Sequence, residues 1–205
     1  MNVHKLDKIL NPKRIALIGV TINPNSVGGK VLGNLVGGGF RGVVYPVSST
    51  AEAIMGVPCY PDLKSLPRRP DMAIICTPAQ QVPDIVEECG EAGILGIIVM
   101  SAGFREAGEE GLALERRIRD SVARFEGMRI LGPNCLGIIV PGLSLNASFG
   151  EGMPLKGNVA FISQSGALCT SVLDWAIQEK IGFSHFVSVG NMVDVDFADL
   201  IDYFG

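Results

Sequence analysis

The stretch Arg14-Ile-Ala-Leu-Ile-Gly19 decides the fold class: an apolar run closing on a glycine reads as a strand buried on both faces. A loop rich in Asn and Gly follows, and then Val31, Leu32, Leu35, Val36 and Phe40 recur at helical spacing. Gly29, Gly33 and Gly37 fall four apart on one stripe of that helix. Glycine costs about 1 kcal/mol per helical position relative to alanine. The stripe reads either as backbone pressed against a neighbour or as a diluted, poor helix. Residues 42–47 and 72–77 give the next two strands, separated by a proline-punctuated loop from Gly56-Val-Pro58 to Pro67-Arg-Arg-Pro70.

The alternation continues. Val82, Ile85, Val86 and Cys89 place a helix over 79–92, with Pro83 tolerated near its start. Residues 95–100 are a fourth strand. Leu114, Ile118, Val122 and Phe125 mark a helix whose other face, Glu115, Arg116, Arg117 and Arg119, reads as solvated. Residues 128–131 and 136–140 extend the β pattern. Strands alternating with helices predict an α/β doubly wound parallel sheet over roughly 14–140. From Pro141 to Pro154 the pattern lapses into Gly, Ser, Asn and Pro. A new βαβ unit then begins: strand 158–162, turn Ser163-Gln164-Ser165-Gly166, helix 167–179, strand 184–189 and a helix start near Asp194. A second α/β domain is opened there and not completed within the 205 residues.

Composition narrows the function. The sequence is 47% hydrophobic and 19% charged, and its 26 glycines suit buried strands joined by tight loops. A net charge of −4 argues against a general polyanion-binding surface, hence against nucleic acid. No apolar run approaches the ~20 residues that span a bilayer, and residues 1–10 lack the apolar core of a signal peptide. No membrane partner is expected, and the chain reads as cytoplasmic. Five scattered cysteines without a C-x-x-C pair point to a reducing compartment rather than to disulfides or zinc.

Ligands of open α/β sheets bind outside the carboxyl ends of the strands. Gly19 is followed by eight residues before Gly28-Gly29, too long for the tight dinucleotide turn, and the second strand ends in Val47-Ser48-Ser49-Thr50 with no acid for a ribose diol. Glu52, slightly further on, is a weak substitute. NAD is therefore disfavoured, whereas a longer loop closing on a helix N-terminus suits a phosphate or diphosphate. The turn 163–166 reads as a serine N-cap or as an anion site at a helix N-terminus. It is not a G-x-S-x-G elbow, since Ser163 stands two before Ser165. Asp194, Asp196, Asp199 and Asp202 lack calcium-loop spacing, two lie where a helix starts, and they read as capping or solvated residues, so no metal is expected. His185 reads as a strand residue, and Cys76 and Cys135 as packing residues without a histidine to activate them.

Leu17-Ile-Gly19, Tyr45-Pro-Val47, Ser101-Ala-Gly-Phe104, Gly132-Pro-Asn-Cys135-Leu-Gly137, Phe161-Ile-Ser-Gln-Ser-Gly-Ala167 and Val189-Gly-Asn191 occur in this order. In them the chain resembles the α-type half of NDP-forming (ADP-forming) acyl-CoA synthetases, relatives of the succinyl-CoA synthetase α subunit. The resemblance implies a Rossmann-like CoA-binding domain over 1–145 and the start of a flavodoxin-like, succinyl-CoA-ligase-like domain over 155–205. It also implies that Gly19, Ser26, Val27 and Gly28 meet the CoA diphosphate region. Val47, Ser48, Thr50, Thr77, Pro78, Met100, Ser101 and Ala102 would line the rest of the CoA groove, with Asn134 and Cys135 near the thioester end. Ser163, Gln164, Ser165 and Gly166 would cradle the family's phosphohistidine. Two departures stand out: no basic residue follows Pro46-Val47, and neither His4 nor His185 has the context of that phosphohistidine.

The implied reaction is acyl-CoA + phosphate + ADP to acid + CoA + ATP. CoA or acyl-CoA is the expected ligand of this chain, with ADP, ATP and Mg²⁺ reached only through ATP-grasp and remaining ligase domains or a β-type subunit. No catalytic residue is expected here, and the chain alone is expected not to turn over. An unfinished second domain leaves a sheet edge that invites the missing sequence or a second copy, as in a homodimer. The rival readings are a free-standing CoA- or nucleotide-binding regulatory module and the front end of a multidomain protein acetyltransferase.

Overall fold

A computed structural model describes residues 6–205; His4 lies outside the described residues. A four-residue helix α1 (Asp7–Leu10) leads into β1 (Arg14–Ile18), which is followed by α2 (Val27–Gly37), β2 (Val43–Val47), a two-stranded ribbon of β3 (Ala53–Ile54) and β4 (Val57–Pro58), and β5 (Met72–Ile75). Then come α3 (Val82–Glu91), β6 (Gly96–Val99), α4 (Glu109–Arg124) and β7 (Arg129–Leu131). Five of these strands form one parallel sheet in the order β2-β1-β5-β6-β7. The order reverses between β1 and β5, the position at which doubly wound sheets bind ligands.

The second sheet is assembled differently from the sequence expectation. Its members are β8 (Gly137–Val140), β9 (Leu145–Ser148), β10 (Leu155–Ser163) and β11 (Gly182–Ser188), in the order β10-β11-β8-β9. Only β10 and β11 are parallel; β8 runs antiparallel to both β11 and β9. Residues 136–140 therefore do not extend the first sheet, and the apparent lapse over 141–154 hides a fully buried strand, Leu-Asn-Ala-Ser. Four residues with two polar side chains carry no periodic signal. Asn146 is nevertheless satisfied internally, its Oδ1 accepting from Ser148 Oγ at 2.6 Å. The break between sheets falls at the Gly132–Leu136 turn, earlier than the compositional lapse.

Two cores flank the first sheet. On one face Ala16, Ala73 and Ile75 pack against Val82, Val86 and Cys89 of α3 and Ile118 of α4. On the other, Ile15, Leu17, Met72 and Ile74 meet Val31, Leu32 and Leu35 of α2 and also Ile138, Val140, Leu145 and Val187 of the second sheet. Each such fully buried side chain contributes about 1.5–3 kcal/mol. One continuous core thus holds both sheets. Helix α5 (Gly166–Gln178) covers the far face of the second sheet through Cys169, Leu173 and Ala176. Helix α6 (Phe197–Phe204) starts on a capping box in which Asp196 accepts from Asp199 N.

Two readings of the helices are corrected. Glu115 is not on a solvated face of α4 but fully buried. The glycine stripe of α2 is tight only at its N-terminal end: a Cβ on Gly29 would strike the Asn23 carbonyl, while Gly33 meets only Met55 and Gly37 meets nothing.

Candidate functional site

The site grows out of the loop after β1. Gly19 has φ +84°, and a Cβ on it would lie 2.8 Å from the carbonyl carbon of Cys76 and from Thr77 N on the neighbouring strand. Only glycine satisfies both demands. Ser26 caps α2, its Oγ accepting from Gly29 N at 3.0 Å and donating to Asn23 O at 2.7 Å. Gly28 lies against the same loop, so that a Cβ would approach Gly19 O to 2.7 Å and Val20 Cα to 2.9 Å. The glycines press the positive end of α2 onto the switch point, with its first-turn N–H groups free of intrahelical acceptors.

Two cavities open at this end of the sheet. The larger, about 700 Å³, has Thr77, Pro78, Met100, Ser101, Ala102, Asn134 and Cys135 on one wall, Val27 beside them, and Gln164, Ser165 and Gly166 facing them from the second sheet. The smaller, about 410 Å³, takes Gly19, Val47 and Ser48, with Gln81, Asp62 and Glu88 added. Thr77 lines both, and its buried Oγ1 has no hydrogen-bond partner among the described residues. Of the remaining sequence candidates, Ser26 and Gly28 shape the α2 turn without lining either cavity. Thr50 is exposed beside Ser48 Oγ at 3.3 Å, and Ser163 is buried beneath the turn, its Oγ accepting from Ser165 N at 3.2 Å.

The chemistry available in the larger cavity is recognition rather than nucleophilic attack. Burial pushes both the Cys76 and the Cys135 thiol up to about 12. Cys135 Sγ donates to Val99 O at 3.3 Å, so its sulfur is engaged in packing. Ser165 caps α5 by accepting from Leu168 N at 3.2 Å. An added Cβ on Gly166 would meet no atom within 4 Å, so the first turn of this thirteen-residue helix faces open space. The helix dipole favours an anion there. His185 lies away from both cavities, its ring 4.6 Å from that of Phe204, and burial lowers its pKa.

Three of the quoted motifs converge behind the cavity, a link that sequence spacing did not reveal. Asn191, itself buried, donates through Nδ2 to Glu106 Oε2 at 2.6 Å and to Glu115 Oε1 at 2.8 Å. Glu106 Oε1 accepts from Gly103 N at 2.7 Å and Phe104 N at 3.1 Å. Asn191 N donates to Pro133 O at 2.8 Å, and Asn134 N to Ser101 O at 2.9 Å. The Ser101–Phe104, Gly132–Cys135 and Val189–Asn191 segments are therefore one hydrogen-bonded unit. Although burial opposes ionisation of Glu106, the hydrogen bond from Asn191 and those from the backbone outweigh it and hold its carboxyl below the usual carboxylate value.

A glycine-rich loop and a helix N-terminus at the switch point of a doubly wound sheet thus lie across a cavity from a second helix N-terminus, the arrangement of an α/β ligand-binding protein built from two units. The chain belongs to the CoA binding domain family, whose model matches residues 13–141; residues 156–205 match the succinyl-CoA ligase like flavodoxin domain. Over 97% of its length it is 46% identical to the alpha subunit of acetate–CoA ligase [ADP-forming] II of Pyrococcus furiosus, covering 43% of that protein. It is 42% identical to acetate–CoA ligase [ADP-forming] I of Archaeoglobus fulgidus, over 97% of this chain and 28% of that protein. The fold superposes with a TM-score of 0.92 on the dinucleotide-forming acetyl-coenzyme A synthetase 1 of Ca. Korarchaeum cryptofilum in complex with phosphate and ADP, at 41% identity, covering 97% of this chain and 42% of that one. The chain is thus homologous to the CoA-binding α portion of ADP-forming acyl-CoA synthetases and spans less than half the length of these relatives. Among the described residues no helix is long and apolar enough to cross a membrane.

Proposed function

We propose that this chain is the CoA-holding part of an ADP-forming acyl-CoA synthetase catalysing acyl-CoA + phosphate + ADP to acid + CoA + ATP. One observation carries the reading: the strand tips and the N-terminus of α5 face each other across a single cavity. The fit to CoA rests on the orphaned Thr77 Oγ1 at the junction of the two cavities and on the Gly19–Gly28 contact, which lets backbone N–H groups approach a diphosphate.

In this reading the smaller cavity, with Gly19, Val47 and Ser48, holds the nucleotide end of CoA. The N-terminus of α2, shaped by Ser26, Val27 and Gly28, faces the diphosphate. Thr77, Pro78, Met100, Ser101 and Ala102 line the path to the thioester end at Asn134 and Cys135. Gln164, Ser165 and Gly166 stabilise phosphoryl charge opposite it, above Ser163. The phosphorylated histidine and the site for ADP, ATP and Mg²⁺ belong to a further ligase and ATP-grasp part or a β-type subunit. Strand β10 lies at the edge of its sheet with Leu155 and Val159 exposed, a surface suited to that remainder or to a second copy of the chain.

Titration calorimetry of the 205-residue chain with CoA and with NAD tests the reading. CoA binds more tightly, and Gly28→Val weakens it while circular dichroism reports a retained fold. Tighter NAD binding, or no CoA binding at millimolar concentration, overturns it.

A further inference from the structure

A further cavity, about 790 Å³, lies at the opposite end of the first sheet from the site above. It is bounded by the starts of β1 and β2, the turn between α2 and β2, the 61–71 loop and the 142–144 turn of the second sheet. Lys13, Arg14, Arg41 and Arg68 line it, and no carboxylate does. This is a concentration of positive charge in a chain whose net charge is −4. Arg14 is partly compensated by Asp71, at 3.8 Å. Among the described residues Lys13, Arg41 and Arg68 have no carboxylate at salt-bridge distance. All three are exposed to solvent.

The floor of the cavity is aromatic and fixed. Tyr45 is 6% exposed and braced edge-on by Tyr60 at 5.6 Å between ring centres. The Phe40 ring folds over Gly42, where any Cβ would collide with it. Lys13, Arg41 and Arg68 carry like charge on one rim, and a multivalent anion seated between them relieves their repulsion. The volume falls within the range of small-molecule sites, about 300–1,000 Å³.

We propose that this cavity is a second binding site, taking a small polyphosphate-bearing anion in the grip of Lys13, Arg41 and Arg68. The shared chemistry is a run of two or three phosphates, supplied either by a nucleoside polyphosphate, whose base would stack on Phe40, or by an inorganic polyphosphate. Guanidinium groups suit this task because their donors match phosphate oxygens in pairs.

The test is calorimetric titration of the 205-residue chain saturated with CoA, using ATP and inorganic tripolyphosphate as probes. Saturable binding of at least one probe is expected, together with a loss of at least about tenfold in Arg41→Ala/Arg68→Ala. Arg116→Ala, which removes an exposed charge on α4, should leave it unchanged. Thermal melts of both variants check the fold. A Phe40→Ala variant that weakens ATP but not tripolyphosphate assigns the nucleotide as the source; equal binding of both probes assigns the phosphate run alone. Absence of saturable binding, an equal loss in the Arg116 control, or abolition of binding by CoA overturns the proposal. CoA affinity in the same preparations is a separate readout, so a failure of the CoA reading is seen independently.

Discussion

Thr77 stands where the two cavities at the carboxyl end of the sheet meet, with a buried hydroxyl that finds no partner among the described residues. An unsatisfied buried group costs about 1–3 kcal/mol, and replacing it with an apolar group of the same shape removes that cost. Thr77→Val is therefore expected to melt at the same temperature as the parent or higher, while CoA affinity falls roughly tenfold, about 1.4 kcal/mol. A variant that loses stability and binds CoA normally would show that the hydroxyl is satisfied internally. Asn191 behaves in the opposite way, because it donates to one oxygen of each of two carboxyl groups, one of them fully buried. Asn191→Leu should destabilise by about 1–3 kcal/mol in urea denaturation, the cost of losing hydrogen bonds to buried carboxyl oxygens while Arg105 and Arg119 remain beside Glu115. Glu106 adds a pH signature. Its folded pKa lies below the unfolded value near 4.3, so its contribution is present above that value and is lost as pH falls through the folded pKa. The stability difference between the parent and Glu106→Gln should accordingly be constant near neutrality and shrink below about pH 4. None of these partners was legible in the sequence. Glu115 sits in a run of charges, and only contact with a loop 76 residues later distinguishes it from its solvated neighbours.

At the scale of elements the sequence was far more informative, because a helix or a buried strand is written in local spacing. The apolar positions of α3 and α4 and the glycine that ends β1 appear where the periodicity put them. Caps were legible in part: Ser165 and Asp196 each accept a hydrogen bond from the third residue of their helix, as does Ser26, whose capping role the sequence pattern did not assign. Ser165→Ala should lower stability by about 1 kcal/mol in thermal denaturation, as should Asp196→Ala, since both leave a first-turn N–H without its acceptor. Elements too short for a period went unseen: the ribbon of β3 and β4 has two residues per strand, and β9 has four. Their existence depends on the neighbour that completes their hydrogen bonds.

At the scale of the molecule, Ile15, Leu17, Ile138 and Val187 belong to one core that joins the two sheets. Arg129 adds a polar clamp, bonding Asp194 at 3.0 Å and Asp199 at 2.6 Å from β7 to the segment entering α6. Burial disfavours its charge, but the two carboxylates outweigh burial and raise its pKa further. Scanning calorimetry is expected to show a single transition with equal calorimetric and van't Hoff enthalpies; two resolved transitions would show that the sheets unfold independently. The sequence by itself determined the alternation of strands and helices, the long glycine-closed loop after β1 and the helix that follows the 163–166 turn, because each depends on residues within a few positions of one another. Only the tertiary structure decided that β8 and β9 leave the first sheet for the second, that Gln164–Gly166 faces Asn134 across a cavity, and that four scattered cations gather at the far end. Those outcomes depend on which distant surfaces meet to bury apolar area, and apolar burial is not directional enough for the sequence pattern to name the partner.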